Sequence, residues 1–295
     1  MASATVQNPP GNIVGQVVDH LAQKDEPTKH NVLTELNYYQ DPGDGTLPAP
    51  FYVGHANPSE RPHVPLSVII HDIAGDEDKY TLDSHGFQFV KHESKEKDFL
   101  DDRKIKAEYY SEVEQLLKDT TGATRVFIFD HTIRRAPADV RDGTTLLRGP
   151  GKRVHIDQSY QASENRVKYH LPDEARDLLK KRFQIINVWR PIKTILRDPL
   201  CLADAHSVPE SDLVPAALIY PDREGETYAV KPNLDHRWYF KYAQHPDEPL
   251  FIKCYDSVDD GRARRTPHTA FSNPAHDNEP PRESIEVRTL VFYDC

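Results

Sequence analysis

The stretch Gln184-Ile-Ile-Asn-Val-Trp-Arg-Pro-Ile192 decides the fold class. It is short, rich in β-branched and aromatic residues, and closed by a proline, which reads as a strand rather than a helix. Runs of the same kind occupy 124–134, 199–204, 216–220, 228–230, 237–242, 250–255 and 284–293. Turn formers separate them, as in Pro221-Asp-Arg-Glu-Gly225 and Ser257-Val-Asp-Asp-Gly261. Short strands at such spacing predict a sandwich or jelly roll of the cupin type, a mainly β fold with flanking helices. One helix is expected over about 94–121, where Ile105, Tyr109, Val113, Leu116 and Leu117 recur at helical spacing and Gly122 supplies a C-cap. A second is expected over about 172–183, with Pro172 in its first turn and Leu178, Leu179 and Phe183 on one face. Residues 1–60 carry turn formers such as Pro9-Pro-Gly11 and Asp41-Pro-Gly43, and read as an N-terminal helical and extended elaboration ahead of a jelly-roll domain at 61–295.

Composition bounds the function. The chain has 295 residues, 37% hydrophobic and 28% charged, as in an ordinary globular protein that can bury a full core. Its 37 Lys and Arg against 47 Asp and Glu leave a net charge of −10, which repels a phosphate backbone and argues against nucleic acid as partner. The basic run Arg262, Arg264, Arg265 is short and lacks an aromatic stacking platform. Three cysteines without CxxC spacing suggest neither a disulfide framework nor a thiolate zinc site. No apolar run approaches a signal peptide or a membrane span, so a cytoplasmic protein without membrane contact is expected. A homodimer is the expected assembly, since two-fold association is the commonest.

The chemistry concentrates in Val154-His-Ile-Asp157. Side chains two apart on a strand project to one face, so His155 and Asp157 can grip one ion. His-x-Asp alone is a weak signal, and a surface strand would carry it equally well. The far end of the chain strengthens it. Pro267-His-Thr-Ala-Phe271 supplies a third ligand, His268, and Arg282-Glu-Ser284 follows fourteen residues after that histidine. Two histidines and one carboxylate on one face of an octahedron leave room for a bidentate 2-oxo acid and O2, the arrangement of non-haem Fe(II) sites. An arginine in phase with a hydroxyl two residues on suits the far carboxylate of 2-oxoglutarate. Arg282 and Ser284 have that phase. Arg288 shares it and remains an alternative anchor, or a partner for Glu286. His131, after Asp130, reads as a cavity-wall residue or a spare ligand. His206 competes weakly, and His236, His245 and His276 read as exposed loop residues. Thr269 and Cys254 read as structural.

The runs His155-Ile-Asp-Gln-Ser159, Ile186–Ile192, Asp198-Pro-Leu-Cys-Leu-Ala-Asp204, Lys253-Cys-Tyr-Asp-Ser257, Pro267–Phe271 and Arg282–Arg288 resemble a family of fungal hydroxylase/desaturase proteins of secondary metabolism. That gibberellin desaturase-like group also takes in the accessory protein of bacterial cephamycin 7-methoxylation. The resemblance spans roughly residues 80 to 294. It implies a double-stranded β-helix, Fe(II), 2-oxoglutarate, O2 and a small-molecule substrate, with His155, Asp157 and His268 at the metal and Arg282 at the co-substrate. On strand 186–192, Asn187 and Trp189 share one face and Val188 and Arg190 the other; if the first lines the barrel, Asn187 hydrogen-bonds the co-substrate and Trp189 walls the pocket, the alternative being Trp189 as core, while Arg190 either meets an acidic substrate or pairs with Asp198 or Asp204. The rival readings are a non-redox isomerase or cyclase on the same fold, and an accessory partner of a tailoring enzyme such as a methyltransferase. Arg282 and Ser284 weigh against the first, because such an enzyme needs no 2-oxoglutarate anchor. An intact ligand set weighs against decay to a scaffold.

Overall fold

The computed structural model describes residues 28–53, 61–135 and 149–294. Five strands precede the candidate ligand pair: β1 (Val32–Tyr39), β2 (Phe51–Tyr52), β3 (His63–Asp72), β4 (Phe87–Phe89) and β5 (Arg125–Arg134). Nine follow from there: β6 (His155–Ile156), β7 (Phe183–Pro191), β8 (Leu200–Ala203), β9 (Leu213–Ile219), β10 (Glu224–Val230), β11 (Trp238–Phe240), β12 (Leu250–Asp256), β13 (His268–Ala270) and β14 (Ser284–Phe292). They form two sheets, a nine-stranded one in the order β1-β3-β11-β8-β13-β6-β10-β9-β2 and a five-stranded one in the order β4-β12-β7-β14-β5. Nearly all pairings are antiparallel and join distant segments, which gives the jelly-roll build that the strand runs predict.

Period-two alternation explains how the five-stranded sheet is covered on both faces. On β7, Phe183, Ile185 and Trp189 enter the core cluster between the sheets, while Ile186 and Val188 enter a second cluster on the opposite face. On β14, Leu290 and Phe292 go inward and Ile285, Val287 and Val291 outward. The outer cluster lies under a continuous helical stretch, Asp102–Lys104, a π-turn at Ile105–Tyr109, and Tyr110–Thr121, together α1. Ile105, Tyr109, Val113, Leu116 and Leu117 are buried there, the residues whose spacing predicts the helix. Asp101 caps its first turn by accepting from the backbone N–H groups of Arg103 and Lys104, so the helix begins at 102 rather than near 94. Gly122 ends it at a φ of +72°, a conformation that costs glycine nothing.

Two expectations change, and one helix appears that the sequence reading did not name. Val32–Tyr39 is a full strand paired along β3, so the sheet takes in part of the segment expected as an N-terminal extension; residues 1–27 lie outside the described residues. The helix expected over 172–183 contracts to one turn, Ala175–Leu178, because Phe183 already belongs to β7. In its place, Tyr160–His170 forms the longer helix α2, capped by the Ser159 hydroxyl accepting from the Ala162 N–H. Its buried residues include Ser163 and Arg166, so no apolar stripe announces it. Among the described residues, no helix is long and apolar enough to cross a membrane.

Candidate metal centre

Strands β6 and β13 lie side by side with His155 directly opposite His268, bringing together two residues from separate ends of the sequence. Their ring centroids are 4.5 Å apart. His155 Nδ1 is 2.8 Å from the Arg153 carbonyl and His268 Nδ1 is 3.1 Å from the Thr266 carbonyl. A carbonyl can only accept, so each Nδ1 carries its hydrogen, which leaves Nε2 of each ring as the nitrogen that can bind a metal; on His155 that nitrogen donates to the Asp157 carboxylate and would give up its proton to the ion. Asp157 completes the group, with Oδ1 3.2 Å from His155 Nε2 and 3.9 Å from His268 Nε2. All three ligand atoms lie within 4.8 Å of one another. Two neutral-capable imidazoles and one carboxylate, oriented this way, are a donor set that fits ferrous iron.

Electrostatics bind the group together. Burial works against ionising Asp157, but hydrogen bonding to His155 and the charge of Arg288 outweigh it, and its pKa lies well below the usual carboxylate value. Burial also opposes charge on His155; the Asp157 hydrogen bond outweighs it and raises that pKa. His268 is lowered by burial and by the charge of His155. The pocket therefore favours an anionic carboxylate beside a neutral His268.

The second oxygen of Asp157 is clamped from the opposite sheet. It accepts from Asn187 Nδ2 at 2.7 Å and from Arg288 Nε at 3.3 Å. Asn187 Nδ2 also donates to Glu286 Oε1 at 2.8 Å, and its own Oδ1 is buried without a partner. Arg288 donates further to Asp130 at 2.9 Å, Thr132 at 3.1 Å and Glu286 at 3.4 Å. Four of its five N–H donors are thus engaged within the chain.

Arg282 is placed differently. It is 3% exposed and stands over the Trp189 ring at 5.4 Å. One guanidinium nitrogen donates to the Asp198 carbonyl at 2.9 Å, while Nε is buried without a partner. Asp198 presents that carbonyl from a φ of +50°, an uncommon conformation for a non-glycine residue. No carboxylate comes within ion-pair distance of Arg282 among the described residues. Burial, with Arg134 nearby, pulls its pKa down. Ser284, two residues on, is buried at the start of β14, and Trp189 sits opposite Glu286 across the β7–β14 pair, which sets Arg282 on the wall that also bears the Asp157 clamp.

The other sequence candidates go elsewhere. Arg190 lies on the face of β7 away from Asn187, where it bonds the Tyr109 hydroxyl, the His92 ring and the carbonyls of His92 and Pro246. It therefore pairs with neither Asp198 nor Asp204. His131 points toward α1, 2.8 Å from the Tyr110 hydroxyl. His236, expected in an exposed loop, is 6% exposed and linked through Tyr38 to Trp238 and through Nε2 to Asp212. Glu286 is the residue whose place at the centre was missed. Its even offset from Ser284 and Arg288 is the signal that could have found it.

A jelly roll with imidazole, carboxylate and imidazole converging from neighbouring strands is the build of the mononuclear non-haem iron oxygenases. The family described as Oxidoreductase/YMDC permease-like domain matches residues 36–292. The hydroxylase/desaturase efuI of Hormonema carpetanum is 37% identical over 284 residues, covering 89% of this chain and 95% of that protein. The alpha-ketoglutarate-dependent dioxygenase tstK of Talaromyces stipitatus is 34% identical over 266 residues, 88% of this chain and 96% of its own length. Among solved structures, the iron and alpha-ketoglutarate-dependent endoperoxidase NvfI superimposes with a TM-score of 0.79 at 27% identity, covering 89% of this chain and 98% of that one. The chain belongs to this family of fungal hydroxylase/desaturases and Fe(II)/2-oxoglutarate-dependent dioxygenases. It is an enzyme of that kind, with Fe(II), 2-oxoglutarate and O2 as its reactants and cofactors.

Proposed function

We propose that His155, Asp157 and His268 hold the ferrous ion and that Arg282, with Ser284, receives the far carboxylate of 2-oxoglutarate. The substrate is a small natural-product intermediate, and the outcome is hydroxylation, desaturation or ring closure at one C–H bond. Bound iron supplies the oxidising power, as 2-oxoglutarate is decarboxylated to succinate and hydrogen is removed from the substrate. The chain's part is to orient three donors, fix the co-substrate and keep the reacting C–H dry. The observation that carries this reading is the buried, acid-free guanidinium of Arg282, whose Nε has no partner, on the wall that clamps Asp157. A fork of N–H donors stacked on an indole matches a carboxylate in shape and charge.

The decisive test is a reactant balance. Product formation requires O2, releases one succinate per turnover, and is inhibited by N-oxalylglycine in competition with 2-oxoglutarate. Full turnover in an anaerobic vessel without 2-oxoglutarate would move the chain to an isomerase or cyclase.

Asn187 takes a different part from the one its strand position suggested. We assign it to orienting Asp157, because its amide hydrogens go to Asp157 and Glu286. Asn187→Ala is expected to weaken Fe(II) binding about 10- to 100-fold, the usual cost of losing an outer hydrogen bond to a metal ligand. Titration with Co(II), read by its visible absorption, checks this; unchanged affinity with weakened 2-oxoglutarate binding would return Asn187 to the co-substrate.

A further inference from the structure

A cavity of about 330 Å³ has a lining that includes Gln158, Arg166, Lys168, Tyr169 and Arg223. It runs between the last turns of α2 and the β9–β10 hairpin, and Gln158 directly follows Asp157 in the chain. Arg166 is 7% exposed, reaches back to Gln158 Oε1 at 3.3 Å, and stacks over the Phe129 ring at 5.0 Å. Arg223 stacks on Tyr220 at 3.6 Å and faces Tyr169 at 5.5 Å. Neither arginine forms an ion pair among the described residues. Asp130 acts on Arg166 only at a distance and is itself bonded to Arg288. Glu224 contributes an exposed carboxylate to the rim, and Asp222 is taken by the Tyr169 hydroxyl.

Burying one guanidinium and placing another near it, without an acid between them, is unfavourable unless an anion joins them. Each depends on aromatic faces and neutral acceptors instead. His170 stacks on Phe129 with its ring 5.1 Å away and leaves Nε2 buried without a hydrogen-bond partner. Burial and the two arginines push its pKa down to about 4, so its imidazole is neutral near pH 7.

We infer that this cavity takes the substrate, and that the substrate is an organic anion, its acidic group held between Arg166 and Arg223. The inference rests on the reading of His155, Asp157 and His268 as the metal ligands; the link to that centre is Asp130, which acts on Arg166 and accepts from the Arg288 that clamps Asp157. Tyr169, Ala162 and the aliphatic stems of the lining side chains receive the carbon skeleton, and the arginines fix which end points away from the metal. One carbon of that skeleton is then presented toward Asp157 and the two histidines. A carboxylate and an ionised phenol or enol both meet the chemistry of the two arginines, and the choice between them is left to the probes.

Matched acids and neutral analogues test this on the full chain: 2-naphthoate against 2-naphthamide, and 2-naphthol above its pKa against 2-methoxynaphthalene. Each is titrated calorimetrically under anaerobic conditions with Fe(II), with and without saturating 2-oxoglutarate. At least one anion is expected to bind about tenfold or more tighter than its neutral partner with 2-oxoglutarate present. Arg166→Gln and Arg223→Gln each remove that preference and leave the neutral analogue's affinity unchanged. Arg223 is only half-buried, so Arg223→Gln carries the test if Arg166→Gln fails to fold. Equal binding of anion and neutral analogue to the unmodified chain, or a preference that survives Arg223→Gln, overturns the inference. A preference seen only without 2-oxoglutarate also overturns it, because the anion is then in the Arg282 site. Failure of 2-oxoglutarate to bind the unmodified chain counts against the metal-centre reading alone, and the titrations without it still decide the cavity.

Discussion

Replacing His155, Asp157 or His268 by alanine is expected to abolish Fe(II) binding and turnover while the jelly roll still melts cooperatively. The three donors converge within 4.8 Å, and each contributes to the site through one ligand atom rather than through the apolar clusters between the sheets. Removing a donor costs several kcal/mol of metal stabilisation, roughly a thousandfold or more in rate. Asp157→Ala has a second consequence. It removes one acceptor from Asn187 and the acceptor of Arg288 Nε, although Asn187 keeps Glu286 and Arg288 keeps Asp130 and Glu286. Its thermal midpoint should therefore fall further than that of His155→Ala, whose ring is held by one backbone carbonyl and Asp157. The measurement is Fe(II) or Co(II) affinity beside a thermal melt. Undiminished affinity in the His268→Ala chain would remove His268 from the ligand set.

The strands were legible because alternation survives in the sequence. Gln184–Ile192 reads as a strand, and Phe183–Pro191 is one, with Asn187 and Trp189 on the inner face and Arg190 on the outer. The same period-two argument placed His155 beside Asp157 and aligned Ser284 with Arg288. What the sequence could not display is pairing between distant segments. The clamp on Asp157 joins it to residues 30 and 131 positions away, and no local pattern predicts that Asn187 bonds Asp157 in preference to a co-substrate. Helix α2 stayed hidden for a related reason. It turns Arg166 and Ser163 inward, where the partners are Gln158, a phenyl ring and a backbone carbonyl, so its buried face is not an apolar one. His236 was misplaced because its neighbours in the chain are polar, whereas its neighbours in space are Tyr38 and Asp212.

Arg282→Ala is expected to raise the requirement for 2-oxoglutarate steeply and leave Fe(II) affinity intact. Losing a charge-assisted pair costs on the order of 2 to 4 kcal/mol, roughly 30- to 1,000-fold in affinity. Ser284→Ala removes one neutral hydrogen bond and should cost only about 0.5 to 1.5 kcal/mol. Lysine at 282 should recover little, because a point charge neither forks onto a carboxylate nor lies flat on Trp189. Arg288→Ala separates the two arginines that share this strand phase. Arg288 is already bonded to Asp157, Asp130 and Glu286, so its loss should disturb the metal ligand before the co-substrate. The signatures are therefore opposite: Arg282→Ala shifts 2-oxoglutarate binding at constant iron affinity, and Arg288→Ala lowers iron affinity first. If Arg288→Ala gave the steep co-substrate loss with iron retained, the anchor would lie six residues further along β14. A guanidinium with three carboxylate neighbours has little left to offer a fourth, whereas Arg282, whose Nε has no partner and which stands over an indole, keeps N–H donors for a carboxylate.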